Sequence, residues 1–167
     1  MLANVQRQFF NNAPSLLRPP LALMPFSLQK RILEHTLKSL FTGAKEDGDL
    51  DFLSNRYLEI KINDLGLRWF ISFDNGQLVV CDKLAATQSC DVSFSANGDD
   101  LVLIADRKED PDTLFFQRRL MIEGDTELGL EVKNLIDSVE LDKLPTWVNS
   151  FVHYCAENIL KRNAQSQ

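Results

Sequence analysis

Leu58-Glu-Ile-Lys-Ile-Asn-Asp-Leu-Gly-Leu-Arg-Trp-Phe-Ile-Ser-Phe-Asp-Asn-Gly-Gln-Leu-Val-Val-Cys81 holds three short apolar runs separated by two turn signals. Leu58, Ile60 and Ile62 alternate with Glu59 and Lys61, the pattern of a strand with one buried face. Asn63-Asp64-Leu65-Gly66 supplies a turn, after which Leu67, Trp69, Ile71 and Phe73 alternate again. Asn75-Gly76 then predicts a tight hairpin, because both residues accept the positive φ such a turn requires. Gln77 to Cys81 forms a third strand. Asp91 to Ser95, with Val92 and Phe94 on one face, reads as a fourth strand that continues an antiparallel meander.

Working outward, the period changes from two to that of a helix. Leu28, Ile32, Leu33, Thr36, Leu37, Leu40, Phe41 and Ala44 recur at helical spacing, which predicts an amphipathic helix capped by Ser27 and ended at Gly43. Beyond the fourth strand come a short helix over 99–108, a break at Asp110-Pro111-Asp112, and a segment from Thr113 to Gln117. A fifth strand from Arg119 to Glu123 is closed by Gly124. Asp125 caps a helix whose apolar positions are Leu128, Val132, Leu135, Ile136 and Val139. Pro145 opens the last one, with Trp147, Val148, Phe151, Val152, Cys155 and Ile159 on a stripe. The expected division is an apolar-basic arm over 1–26, a folded domain over 27–162 and a frayed tail over 163–167. The fold class is α+β, a five-stranded, mainly antiparallel sheet covered on one face by helices.

A chain of 167 residues buries enough surface to fold as one domain without disulfides or metals. No run of 18 apolar residues is present, and no secretory leader pattern opens the chain. Cys81, Cys90 and Cys155, an odd number without CxxC spacing, read as reduced thiols of a cytoplasmic protein. The net charge of −6 is unevenly spread. Up to Lys45 six basic residues face Glu34 alone, giving +5; the remaining twelve bases and 23 acids give −11. The acidic body excludes nucleic acid as the main partner. The arm places Phe9, Phe10, Leu16 and Leu17 beside Arg7 and Arg18, a mixture suited to an anionic membrane surface. Packing of the arm on the body, as a lid or a dimer contact, is the other reading.

Catalytic patterns are absent from the reading. His35 and His153 have no Cys, Asp or His partner at metal-pair spacing, Glu157 being the nearest approach, so no metal and no cofactor is expected. No GxSxG or Gly-rich phosphate loop occurs. Glu123, Asp125 and Glu127 read as acids favoured at a helix start rather than as an acid/base pair. What stands out is apolar surplus, with eleven Phe in a short α+β chain. Phe115, Phe116, Met121, Leu128, Trp147 and Phe151 serve either as ordinary core or as the lining of an apolar cavity.

The stretch from Asp110-Pro-Asp-Thr-Leu-Phe-Phe-Gln-Arg-Arg-Leu to Met-Ile-Glu-Gly-Asp125, with the amphipathic helix that runs on to Asp137, resembles the C-terminal half of the sterol carrier protein 2 (SCP2) domain family. In that family a helix and an Asp-Pro break precede a strand ending in Gly-Asp. Phe94-Ser95 fits the family's sheet, and the likeness extends over about residues 25 to 145. The resemblance implies a non-catalytic lipid-binding domain with an apolar cavity. The Asp110–Leu120 and Ile122–Gly129 motifs are similar to those of a bacterial subgroup acting as accessory factors in oxygen-independent ubiquinone biosynthesis. That implies binding of prenylated quinone intermediates or membrane lipid on behalf of UbiU–UbiV-type hydroxylase proteins. A general phospholipid carrier, peripherally bound to the membrane or dimeric, is the alternative. On this reading lipid meets Phe115, Phe116, Met121, Leu128, Trp147 and Phe151, while Phe9, Phe10, Leu16, Leu17 and Arg18 touch the membrane. One departure stands out: where SCP2 domains often carry Gly before the fifth strand, this chain has Arg118-Arg119.

Overall fold

The computed structural model describes residues 23–138 and 144–165. The arm residues Phe9, Phe10, Leu16, Leu17 and Arg18, and Val139 of the expected helix stripe, lie outside them. Strands β1 (Leu58–Ile62), β2 (Leu67–Asp74) and β3 (Gln77–Cys81) form the antiparallel set expected from their alternation, in registers such as Leu58↔Ile71 and Ile71↔Val80. Asn75 and Gly76 both take positive φ in the turn between β2 and β3.

The meander does not continue into the fourth strand. β4 (Val92–Ala96) lies parallel to β1 in the register Leu58↔Val92, and β5 (Leu120–Gly124) pairs antiparallel with β4. The order is β3-β2-β1-β4-β5, a mostly antiparallel sheet with one parallel joint. A ten-residue connection from Asp82 to Asp91 replaces the tight turn a meander needs. Its far end is clamped to the residue before β1. The Tyr57 N–H donates to Asp91 Oδ2 at 2.7 Å, and the Asp91 N–H donates to the Tyr57 carbonyl at 3.0 Å. The Gln88 side-chain amide also donates to the Tyr57 hydroxyl. These bonds align Val92 with Leu58 and so fix the parallel register.

Alternation places Leu58, Val92, Phe94, Ala96 and Leu120 on the face that packs against Leu53, Leu114, Leu128 and Val132. Each large side chain buried there contributes roughly 1.5–3 kcal/mol. The opposite face carries Glu59, Lys61, Ser93, Met121 and Glu123, with Glu59 buried and paired to Lys61 at 3.0 Å.

From Phe26 onward the described residues form helices α1 (Phe26–Leu40), α2 (Thr42–Asp47), α3 (Gly98–Ala105), α4 (Pro111–Phe116), α5 (Thr126–Ser138) and α6 (Thr146–Gln165), with a 3₁₀ turn at Asp51–Leu53. Several boundaries differ from the sequence reading. Pro25, not Ser27, precedes the first helix, and no side chain caps it. The chain kinks at Phe41 and resumes as α2, which ends where Gly48 takes a φ of +81° instead of at Gly43. Asp110-Pro111-Asp112 begins a helix rather than breaking the chain. The Asp110 carboxylate accepts from the Thr113 N–H at 3.0 Å, and Pro111 occupies the first turn, where its missing N–H costs nothing. α6 continues to Gln165, three residues past the expected limit at Arg162.

α5 covers β4 and β5, and α1 runs along β3. The Val80 N–H, on the strand edge that β2 leaves free, donates to Glu34 at 3.0 Å, and Trp69 Nε1 donates to Gln29 at 2.8 Å. No residue of α1 is buried. α6 packs on α3 through Leu103, Ala156 and Ile159, forming a second small core. Arg162 with Asp99, His153 with Asp106 at 3.0 Å and Lys108 with Glu157 at 3.2 Å fasten that layer. Lys108 holds the Glu157 carboxyl below its ordinary range.

Candidate functional site

Because α1 lies over the sheet edge without burying any residue, it leaves a groove on each side. One, of about 340 Å³, lies between α1–α2 and the β2–β3 hairpin and includes Leu37, Phe41, Leu50, Phe73 and Leu78. The other, of about 410 Å³, lies between the end of α1, α3 and the end of α5, and includes Leu40, Leu101, Ile104 and Ile136. Leu37 and Phe41 line both. Both are within the size range of small-molecule sites; the second is lined mainly by apolar residues, the first by polar and apolar residues alike.

The two grooves differ in those polar groups. Glu34, His35, Lys38, Lys45 and Glu46 surround the hairpin groove. The α3–α5 groove has Arg107, Glu109, Asp110 and Asp137 at its margin. Arg119 donates to Asp100 from Nε, at 3.0 Å, and from Nη2, while its Nη1 donates to Gln117 at 3.0 Å and approaches Glu109 at 3.5 Å. It therefore ties the start of β5 to α3 and to the loop between α3 and α4. Arg118, by contrast, is exposed and adopts a φ of +59°. It occupies a left-handed position that favours glycine.

The residues expected to line a cavity are placed elsewhere. Leu128 is fully buried in the core, whereas Met121 projects from the opposite face of the sheet because it alternates with Leu120 and Ile122. Phe115 and Phe116 pack edge to face, 5.8 Å between ring centroids, and Phe116 is 82% exposed. Trp147 and Phe151 are exposed on the first turns of α6, which packs on α3. The structure does not gather these six into one lining, and none of them lines either groove. Leu101, Ile104 and Ile136 are the lining residues that sequence reasoning missed. Leu37, Leu40 and Phe41 belong to the apolar stripe of the first helix, yet nothing local indicates that α1 and α3 share a groove.

Reactive groups are individually anchored. Burial raises the Cys81 and Cys155 thiols, and burial with the nearby Glu59 carboxylate raises Cys90. The Asp125 carboxylate accepts from the Leu128 N–H at 3.0 Å, as a helix cap does. Among the described residues no group of three or more His, Cys, Asp or Glu is placed to hold a metal ion, and no helix is long and apolar enough to cross a membrane.

A mostly antiparallel five-stranded sheet with helices packed on it, and apolar grooves on either side of α1, define the α+β class of the chain. Residues 33–137 match the SCP-2 sterol transfer family, and the chain belongs to it. It is 52% identical over 145 residues to the ubiquinone biosynthesis accessory factor UbiT of Escherichia coli (strain K12), covering 87% of this chain and 81% of that protein. Among solved structures it resembles the UbiJ-SCP2 ubiquinone synthesis protein, with a TM-score of 0.56 and 19% identity over 68% of this chain and 97% of that one. At that identity the likeness speaks for the fold.

Proposed function

We propose that this protein is a non-catalytic, lipid-binding accessory factor of ubiquinone biosynthesis. The observation that carries the reading is the 52% identity to UbiT across 87% of the chain. The grooves beneath α1 suit it chemically. A prenylated quinone intermediate is mostly hydrocarbon, and shielding it from water yields roughly 25 cal/mol per Å² of apolar surface buried. Binding and presentation need no catalytic group from the carrier, because the chemistry belongs to partner enzymes. Those partners are UbiU–UbiV-type hydroxylases of the oxygen-independent route. The protein works in the cytoplasm, peripherally attached to the membrane. Exposed Phe116, Trp147 and Phe151, and the arm residues Phe9, Phe10, Leu16, Leu17 and Arg18, meet lipid there.

The test is the quinone content of cells lacking the gene, grown with and without oxygen. Ubiquinone is expected to fall in the anaerobic culture and to return on complementation; an unchanged anaerobic pool would overturn the reading. Mass spectrometry of lipid co-purified with the protein separates the alternative. Prenylated phenols or quinones support the quinone role, and phospholipid alone favours a general phospholipid carrier.

A further inference from the structure

The two edges of the sheet differ. At β3 the protein covers its own edge, since the Val80 N–H donates to Glu34 of α1. At β5 it does not. The Asp125 N–H donates to the Asp91 carbonyl, in step with the register Val92↔Gly124. Alternation along an antiparallel pair therefore turns the backbone groups of Met121 and Glu123 toward β4, and those of Leu120, Ile122 and Gly124 outward. Nothing among the described residues hydrogen-bonds to these outward groups. Neither a proline nor a bulge blunts the edge, and its register is regular from Leu120 to Gly124.

Apolar surface flanks this edge on both faces of the sheet. α5 sits directly over the strand, because a Cβ on Gly129 would stand 3.1 Å from Ile122 Cγ2. The adjoining Leu130 is 55% exposed. It shares a side of α5 with Lys133, which reaches Asp112 of α4, the helix that abuts β5, at 2.8 Å. Met121, on the other face, is 42% exposed. The ends of the strand carry opposite charge. Arg118 precedes it, and Glu123 and Glu127 stand at its close; all three are exposed and form no ion pair among the described residues. Arg119 and Asp125, by contrast, are committed to Asp100 and to the Leu128 N–H. Arg118 is kept there in spite of its left-handed backbone, a cost that points to a use for the side chain. A strand charged in this way attracts a copy of itself laid antiparallel and repels one laid parallel.

We propose that β5 is an interface between two copies of this chain, joined edge to edge about a two-fold axis at Ile122. Ile122 then faces Ile122 of the second copy, and Leu120 faces its Gly124, so that the outward backbone groups of both strands are paired and the sheet runs on through both copies. The same axis brings Arg118 to the Glu123–Glu127 end of the second copy. It also sets the two Leu130 side chains on one side of the joined sheet, where they shield the new hydrogen bonds from water.

The test follows the full chain, without added lipid, by sedimentation equilibrium and by amide exchange at low and high protein concentration. The mass is expected to rise to that of two chains. Exchange at Ile122 is expected to slow at least about tenfold as it does so, while the Glu123 amide, already turned toward β4, is unaffected. Arg118→Glu is expected to weaken association about tenfold or more, and Glu123→Lys with Glu127→Lys added to it to restore most of the loss. Leu130→Arg is expected to leave a monomer and supplies the same readout should the charge variants not fold. A monomer at every concentration, a dimer in which the Ile122 amide exchanges as fast as in the monomer, or association that Arg118→Glu leaves unmoved overturns the proposal.

Discussion

Gly124 holds a φ of +107°, and a Cβ on it would lie 2.3 Å from the Asp91 carbonyl oxygen. That oxygen also accepts from the Asp125 N–H at 2.9 Å, so it cannot retreat without releasing the cap of α5. Gly124→Ala is expected to destabilise the fold by about 2–5 kcal/mol through backbone strain and overlap together, measured by urea unfolding. The neighbouring arginines separate in the same assay. Arg118→Gly relieves a left-handed backbone and is expected to stabilise by about 0.5–1 kcal/mol. Arg119→Met leaves the buried Asp100 carboxylate without its donors and is expected to cost about 1–3 kcal/mol. Sequence alone marked Gly124 as a strand end and Arg118-Arg119 as a departure from the family. It could not tell the two arginines apart, because the distinction lies in one φ angle and in a partner 19 residues away.

At the scale of elements, what was legible followed chain proximity. The β2–β3 hairpin and the stripes of the first and fifth helices are patterns that neighbouring residues make among themselves. The parallel placement of β4 depends on Tyr57 meeting Asp91 across 34 residues, and no local pattern announces that pairing. The lining of the two grooves was not legible for the same reason. Exposed Phe116, Trp147 and Phe151 look in sequence like any buried aromatic, and only the packing of α6 on α3 leaves the latter two outside. α1 is the least anchored of the long helices, being held by side-chain bonds from Gln29 and Glu34 and by half-buried apolar residues. Glu34→Ala is expected to loosen its docking on β3. Hydrogen exchange should then quicken at Val80 and along α1, with β1 and β4 unchanged; unaltered exchange at Val80 would refute the clasp.

For the whole molecule, charge is divided between a basic leading segment and an acidic body. Deleting residues 1–26 is expected to abolish co-sedimentation with anionic vesicles while leaving the domain folded by circular dichroism; unchanged binding would refute membrane attachment through the arm. Added salt should weaken the intact protein's binding only in part. Each basic side chain near an anionic surface is worth about 1 kcal/mol, and insertion of Phe and Leu is not screened. The parallel joint between β1 and β4 has a consequence for the order in which the molecule assembles. Residues 58–81 can pair as soon as they exist, whereas β1 must wait for Val92, and β4 must wait again for Gly124, 32 residues further on. Closing such loops before any contact rewards them is the slow part of folding. Substitutions at the joint, such as Ile60→Val or Phe94→Leu, are therefore expected to lower the refolding rate. Val79→Ala in the hairpin should act mainly on unfolding, and a stopped-flow chevron reads both limbs. A chain emerging from the ribosome would hold a finished hairpin whose β1 edge stays unpaired until β4 has been synthesised.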